Sequence, residues 1–120
     1  MSDDDLAALV VGTGWIAQRV HLPWLSSQAA QARLVAVCDT DEGKVHSVAA
    51  RYGVAGYSSL ARALRHPHDV TVICTPGRDH ARHVADALRS GRHVICEKPL
   101  AMHADEARQL YEVVRSLVEI

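Results

Sequence analysis

The triplet Glu97-Lys98-Pro99 places two opposite charges and a rigid turn directly after the apolar segment HVIC. An ammonium at such a position could bind a ribose hydroxyl, polarise a substrate oxygen or help to move its proton. Pro99 would fix the local backbone, in a cis or a trans peptide that sequence does not distinguish. Taken alone, the triplet is better explained as a solvated turn, so its chemical interest depends on what the rest of the chain supplies.

A second chemically suggestive stretch is VVGTGWIAQRV, which has the pattern GxGxxA at Gly12, Gly14 and Ala17. In this pattern the first glycine allows a tight turn, the second lets the backbone approach a pyrophosphate, and the small third residue keeps the helix close to the sheet. The start of the helix, with Trp15 and Ile16, offers free N–H groups and a positive dipole end to phosphates. The alternative is a glycine turn that only packs a strand against a helix.

A carboxylate, Asp39, follows the apolar segment RLVAVC and lies 25 residues beyond Gly14. Dinucleotide-binding folds place an acidic residue near this position to bind the adenosine ribose hydroxyls. The carboxylate would repel a 2′-phosphate, and the next residues, Thr40, Asp41 and Glu42, add no arginine to receive one. NAD is therefore favoured over NADP. The alternative for Asp39 is a helix N-cap, a role that Thr40 or Asp41 could equally fill.

A third polar stretch, CTPGRDH, follows the apolar segment VTVI. Thr75 and Pro76 would form a turn at the carboxyl end of a strand, where open α/β sheets bind their ligands. We expect Asp79 to cap the next helix and His80 to lie on its crevice side. A histidine at the start of a helix is more often a surface residue than a catalyst.

The elements that must position these residues follow from apolar patterning. Short, β-branched apolar runs predict strands at Leu6–Val11, 33–38, 70–74 and His93–Cys96. Helical spacing predicts helices at 15–31 (interrupted at Pro23), 41–52, 58–64, 79–90 and Ala104–Val118. Alternation of strands and helices with short connections indicates right-handed crossovers. The sequence therefore predicts a doubly wound α/β (Rossmann) fold, with a parallel sheet of about five strands covered by helices on both faces.

Composition narrows the class of protein. The chain has 120 residues, 48% of them hydrophobic and 22% charged, with a formal net charge of −1, which fits one ordinary globular domain over 1–120. The basic residues are scattered and aromatic residues are few, so neither nucleic-acid binding nor a membrane span is expected. The three cysteines, Cys38, Cys74 and Cys96, form no CxxC pair and suit buried strand ends better than a metal or redox site. These features predict a reduced, cytoplasmic protein without a metal centre.

Together the four polar stretches resemble the N-terminal NAD(P)-binding domain of the glucose–fructose oxidoreductase, inositol dehydrogenase and rhizopine-catabolism (Gfo/Idh/MocA) family. The matching segments are VVGTGWIAQRVHLPWL, VAVCDTD and DVTVICTPGRDHARHVADALRSGRHVICEKPLA, which cover nearly the whole chain. The EKP triplet is the most specific of these marks, since it is much rarer than the glycine loop.

The resemblance implies a role for each candidate residue. Lys98 would lie near the nicotinamide and assist hydride and proton transfer, with Glu97 in support. The other implied coenzyme contacts are Gly12, Gly14 and Ala17 at the pyrophosphate, Asp39 at the adenosine ribose, and Thr75, Pro76 and His80 on the nicotinamide side.

The chain also departs from the family pattern. Members continue past the helix at Ala104–Val118 into a last strand and a second domain that supplies most substrate contacts, and that C-terminal domain is absent from residues 1–120. Because positioning of reactants supplies much of an enzyme's rate, we expect the isolated chain to turn over little or nothing. Loss of the last strand would also expose an edge of the sheet at the EKP strand, which predicts a dimer or a protein partner there.

Three functional interpretations remain open at this stage. The preferred one is the coenzyme-binding part of an NAD(P)-dependent oxidoreductase that acts on a sugar, cyclitol or related substrate and needs a partner or a further domain for turnover. The second is a non-catalytic accessory module that uses the Rossmann scaffold to bind another protein. The third is a remnant that folds and does nothing further. Fold analogy alone does not separate them.

Overall fold

The computed structural model describes residues 5–27 and 31–118, with the side chain of Val118 left out. The strands are β1 (Leu6–Val11), β2 (Ala32–Cys38), β3 (Ala55–Tyr57), β4 (Val70–Ile73) and β5 (His93–Cys96). The helices are α1 (Leu22–Leu25), α2 (Glu42–Tyr52), α3 (Leu60–Ala63), α4 (Gly77–Arg89) and α5 (Ala104–Val118), and a π-helical turn (Ala17–His21) precedes α1.

The five strands form one parallel sheet in the order β3-β2-β1-β4-β5. The chain builds outward from β1 in one direction through β2 and β3, and then returns to the other side of β1 to place β4 and β5. The direction of winding therefore reverses between β1 and β4, and a crevice opens at the carboxyl ends of the strands at such a point. The predicted doubly wound fold is confirmed.

Both faces of the sheet are covered by apolar side chains. On one face, β1 and β2 pack against the π-helical turn, α1 and α2, with fully buried Ala17 and Leu22 at the contact. On the other face, Leu9 and Ile73 pack against α3, α4 and α5. This burial on two sides explains why β1, β2 and β4 are nearly continuous apolar runs, whereas side chains in the edge strand β5 alternate between exposed and partly buried.

Several predicted boundaries hold and others need correction. β1, β5 and α5 have the predicted limits, whereas β3 was not placed at all, because it has three residues and one of them is Gly56. The predicted N-cap at Asp79 is wrong: α4 begins earlier, at Gly77, with Pro76 in the capping position. The helix predicted for 15–31 ends at Leu25, and its residues 28–30 lie outside the described part of the chain.

A buried polar network lies at the amino ends of β1 and β4, opposite the crevice. The His68 side chain is buried and its Nε2 lies 2.8 Å from the Thr71 hydroxyl, while its Nδ1 lies 2.6 Å from the carbonyl oxygen of His66. Arg92 donates to the His68 carbonyl, and the Asp69 carboxylate accepts from the N–H of Ala7. These bonds satisfy polar groups that would otherwise destabilise the end of the sheet.

Within residues 5–27 and 31–118, no helix is both long and apolar enough to cross a membrane. The same part of the chain contains no group of three or more His, Cys, Asp or Glu side chains arranged to hold a metal ion.

Candidate functional site

The crevice at the carboxyl ends of β1, β2 and β4 contains a cavity of about 630 Å³, a size typical of small-molecule sites. Seven of the predicted coenzyme-binding residues line it: Gly12, Gly14, Trp15, Ile16, Asp39, Thr75 and Pro76. A second cavity of similar volume lies between α4 and α5, away from the glycine loop. We place the site in the first cavity, because only there do a glycine turn, a helix start and a carboxylate converge.

Gly12 and Gly14, the two glycines of the loop after β1, lie in different surroundings. Gly12 has a φ of +92°, and a Cβ atom there would lie 2.8 Å from the carbonyl carbon of Cys74 and 2.8 Å from the N of Thr75. The loop after β1 therefore touches the end of β4 at this point. A Cβ on Gly14 would meet nothing within 4 Å, so this backbone faces open space that a ligand can enter.

The Asp39 carboxylate is tied to the glycine loop. Its Oδ2 accepts from the Thr13 N–H at 2.9 Å and from the Thr13 hydroxyl at 2.7 Å, and its Oδ1 accepts from the Asp41 N–H at 3.0 Å. Thr13 is fully buried and was not predicted as a site residue, although its place between the two glycines was the available signal. Asp41, not Asp39, is the N-cap of α2, since its side chain accepts from the Lys44 N–H.

The local environment keeps Asp39 ionised. Burial, the largest single influence, acts to raise the pKa of the carboxyl group, but the hydrogen bonds from Asp41 and Thr13 and the nearby Lys44 ammonium outweigh it. The pKa of Asp39 consequently lies below its usual value of 3.8. A fixed negative charge with one oxygen still open to a further donor suits a ribose hydroxyl.

Positive side chains that sequence reasoning missed also line the cavity, namely Lys44, Arg78 and Arg82. Only the residues up to Glu42 had been considered as possible phosphate partners. The fold instead brings α2 and α4 to the same cavity as Asp39. The cavity therefore carries both a carboxylate that repels a 2′-phosphate and cations that would attract one.

The Thr75 hydroxyl is held by a histidine that was not predicted either. Thr75 Oγ1 lies 2.9 Å from His83 Nδ1, and both residues line the cavity. Burial, together with the charge of Arg82, lowers the pKa of His83 against the opposing effect of Asp79 and other neighbours. A neutral imidazole at this position fixes the orientation of the Thr75 hydroxyl.

His80, predicted to face the crevice, does not line the cavity. Its side chain is 2% exposed, and its Nδ1 lies 2.6 Å from the carbonyl oxygen of Pro99. Its Nε2 contacts the carbonyl oxygen of Thr75. His80 thus links the turn after β4 to the turn after β5, because its two ring nitrogens contact one backbone carbonyl oxygen in each turn.

The EKP turn lies beside the cavity at the end of β5. The Glu97 N–H donates to the carbonyl of Ile73, and its carboxylate lies 2.6 Å from Nε2 of His21, which ends the π-helical turn. Lys98 is exposed, and the Lys98-Pro99 peptide is cis. Of the predicted site residues, four lie outside the cavity lining: Ala17, which is buried in the core, and His80, Glu97 and Lys98.

Two cysteines at strand ends, Cys38 and Cys74, also line the cavity. Burial, aided by the negative charge of Asp39, raises the pKa of Cys38 to about 11. Burial, aided by Glu97, raises the pKa of Cys74 to about 12. Both are therefore thiols at neutral pH and act as small apolar groups, not as nucleophiles.

Comparison with known proteins agrees with this geometry. Residues 6–119 match the profile of an oxidoreductase family with an NAD-binding Rossmann fold. The D-glucoside 3-dehydrogenase of Escherichia coli (strain K12) is 34% identical over 122 residues, which cover 100% of this chain and 34% of that protein. The chain therefore spans about a third of the length of this relative.

Two solved structures are similar as well. The WlbA dehydrogenase from Bordetella pertussis, in complex with NADH and UDP-GlcNAcA, has a TM-score of 0.88 and 26% identity, over 94% of this chain and 35% of its own. KijD10, a 3-ketoreductase from Actinomadura kijaniata in complex with TDP-benzene and NADP, has a TM-score of 0.84 and 27% identity, over 93% and 35%. The resemblance first visible in the EKP triplet and the glycine loop is confirmed: the chain belongs to the Gfo/Idh/MocA oxidoreductase family and contains its NAD(P)-binding Rossmann fold.

Proposed function

We propose that this chain is the coenzyme-binding part of an NAD(P)-dependent oxidoreductase that transfers a hydride to or from a sugar, a cyclitol or a related hydroxyl or keto compound. The observation that carries the proposal is the cavity in which the glycine loop and the Asp39 carboxylate meet at the reversal point of the sheet. This is where dinucleotides bind in doubly wound folds.

The residues have distinct proposed roles. The open backbone at Gly14 and the N–H groups at Trp15 and Ile16 receive the pyrophosphate. The Asp39 carboxylate accepts a hydrogen bond from the adenosine ribose, while Thr75 borders the nicotinamide side. A bound nicotinamide supplies or accepts the hydride.

Lys98 is the proposed catalytic residue. Lys98 is exposed and follows β5, which pairs with β4, the strand that precedes Thr75. Its ammonium can donate a proton to a substrate carbonyl oxygen while the carbonyl carbon accepts the hydride. The reverse reaction uses the same group in the opposite direction. Since the residues at hand form the coenzyme side, turnover requires substrate contacts from elsewhere, either a further domain or a partner.

The sugar-like substrate class is supported by what the relatives act on or bind. The Escherichia coli relative is a D-glucoside 3-dehydrogenase, and the WlbA structure contains UDP-GlcNAcA together with NADH.

NAD is the proposed coenzyme, in preference to NADP. The ionised Asp39 repels a 2′-phosphate, although Lys44 lies near it and reduces the effect. Because similar structures contain NADH in one case and NADP in the other, the preference must be tested on this chain.

The test is a calorimetric titration of the full chain with NADH and with NADPH. We expect NADH to bind at millimolar concentration or below, and more tightly than NADPH. Asp39→Asn removes the negative charge and one of the two oxygens that accept backbone N–H groups while keeping the size of the side chain, so the ratio of NADPH to NADH affinity should rise at least tenfold. Asp41→Asn is the matched control, since it preserves the helix cap at an exposed position and should leave the ratio unchanged. Absence of any NADH binding would overturn the proposal.

A non-catalytic interaction module is the second candidate, and an exposed apolar surface favours it. Ile95, Leu100, Met102 and Tyr111 are each at least half exposed and lie on or beside β5 and α5. Edge strands with exposed apolar side chains invite pairing. We propose that a second copy of the chain or another protein covers β5. Under this alternative the protein would pair through β5 without binding either coenzyme.

A further inference from the structure

The EKP turn is fastened on both sides of Lys98 by two histidines from other elements. On the amino side, the Glu97 carboxylate is bound by His21 at 2.6 Å, across 76 residues of sequence. On the carboxyl side, the Pro99 carbonyl oxygen lies 2.6 Å from Nδ1 of His80. The two histidines approach from different sides of the sheet, from the π-helical turn and from α4.

The main chain adds to this attachment. The Glu97 N–H donates to the carbonyl of Ile73 at 3.0 Å. Gly77, at the start of α4, packs so tightly on the turn that an added Cβ would lie 3.2 Å from Pro99 Cδ and 3.3 Å from Met102 Sδ. Lys98 is therefore the exposed residue between two anchored neighbours.

The Glu97 carboxylate has a partner other than Lys98. A carboxylate that formed an ion pair with the lysine would compete with a substrate oxygen for the same ammonium hydrogens. Since Glu97 instead accepts a hydrogen bond from His21, the Lys98 ammonium keeps its donors for a ligand. The stem of Lys98 remains flexible, so its range of positions depends on how well its two neighbours are held.

We propose that His21 is a positioning residue for Lys98: it binds Glu97 and, together with His80 at Pro99, fixes the backbone from which the ammonium projects. This inference rests on the proposed function, because it assigns a supporting residue to the proposed catalytic lysine. It predicts that loss of the His21–Glu97 contact changes the environment of Lys98 while the glycine loop remains intact.

The chain offers a direct probe, since Lys44 and Lys98 are its two lysines. Reductive methylation with ¹³C-formaldehyde labels both side chains and the α-amine, and the Lys98 signal can be assigned with Lys98→Arg. In the full chain without coenzyme, His21→Ala and Glu97→Ala each remove the His21–Glu97 contact, so each should shift the Lys98 resonance and broaden it. Lys44 lies near Asp39, away from this turn, so its resonance should stay in place and serve as an internal control.

A conservative variant and a control variant sharpen the test. His21→Gln keeps a donor near the position of Nε2 and should restore the Lys98 resonance most of the way to its wild-type position. His46→Ala removes an exposed histidine from α2 and should change neither lysine signal. A merely structural role for His21 would lower the unfolding temperature and leave the Lys98 resonance unmoved. That result would overturn the inference.

The same samples separate this inference from the proposed function. NADH added to the wild type should shift the Lys44 and Lys98 resonances, and His21→Ala should reduce the response of Lys98 by at least half while that of Lys44 persists. No response of either lysine to NADH would refute coenzyme binding alone. An unchanged Lys98 signal in the coenzyme-free variants would refute the positioning role alone.

Discussion

Replacement of each of the two glycines in the loop after β1 should separate folding from coenzyme binding. In Gly12→Ala the new methyl group would lie 2.8 Å from two backbone atoms at the end of β4, and the residue would have to hold a φ of +92°. Backbone strain of this kind costs about 1–3 kcal/mol. Forcing an extra methyl group into a packed site costs a further amount of about 1–3 kcal/mol.

These terms predict that Gly12→Ala lowers the free energy of unfolding by about 2–6 kcal/mol, a large part of the stability of a small protein. With a urea dependence of about 2 kcal/mol/M, a loss near the middle of this range moves the unfolding midpoint by roughly 2 M. The assay is urea unfolding followed by far-UV circular dichroism. A midpoint within 0.3 M (about 0.6 kcal/mol) of the wild type would show that β1 and β4 are not in the contact described.

Gly14→Ala is the companion experiment and has the opposite expectation. Its methyl group would enter open space, so the free energy of unfolding should stay within about 1 kcal/mol of the wild type. The same methyl group would meet the pyrophosphate, so the affinity for NADH should fall at least tenfold, equivalent to about 1.4 kcal/mol. Wild-type NADH affinity in Gly14→Ala would refute the placement of the phosphates against this backbone.

Two further predictions concern acid stability and assembly. Burial lowers the pKa of His68 below its usual 6.5. Below about pH 6.5 the unfolded chain therefore takes up a proton that the folded chain does not, and the free energy of unfolding should fall by up to about 1.4 kcal/mol per pH unit until the folded chain is protonated as well. Urea unfolding at several pH values tests this: His68→Gln should flatten the slope, and the exposed control His46→Gln should keep it. For assembly, the open edge at β5 predicts sedimentation above monomer mass at micromolar concentration, and Ile95→Lys should increase the monomer fraction. A clean monomer in the wild type would contradict the pairing of this edge.

Most of the fold could be predicted from the local pattern of apolar residues in the sequence. β1 and β5 are continuous apolar runs and α5 has a long apolar stripe, so their limits followed from the sequence without knowledge of neighbours. β3 is too short for such a signal, and Gly56 weakens it further because glycine is rare in strands. The early start of α4 depends on Pro76, whose fixed φ already suits the entry to a helix.

Site residues that belong to short motifs at strand ends could be predicted from the sequence, whereas site residues on the helices could not. The glycine loop, Asp39 and Thr75 meet at one cavity because each follows a parallel strand, and parallel strands end at the same edge. Other lining residues, such as Lys44 and Arg82, belong to α2 and α4. The rotation of each helix about its own axis decides which of its side chains reach the cavity. Sequence periodicity does not fix that rotation closely enough to predict it.

The partners of the EKP turn were beyond sequence reasoning for a further reason. His21 and Glu97 are separated by 76 residues, and no sequence motif that includes one of them predicts a contact with the other. His80 was expected to face a ligand, yet its two ring nitrogens face backbone carbonyl groups. Only a three-dimensional structure shows that these histidines support the turn that carries Lys98.

The buried network around His68 and the cavity lie at opposite ends of the sheet, so mutations at one end have little effect on the other. The network around His68 extends to Thr71 in β4, whereas the cavity lining on this part of the chain begins at Cys74, about 10 Å further along an extended strand. Substitutions that far apart, without shared partners, have nearly additive effects on free energy. Tolerance to acid and choice of coenzyme can therefore be altered independently, by mutation in nature or in the laboratory, with little epistasis between the two.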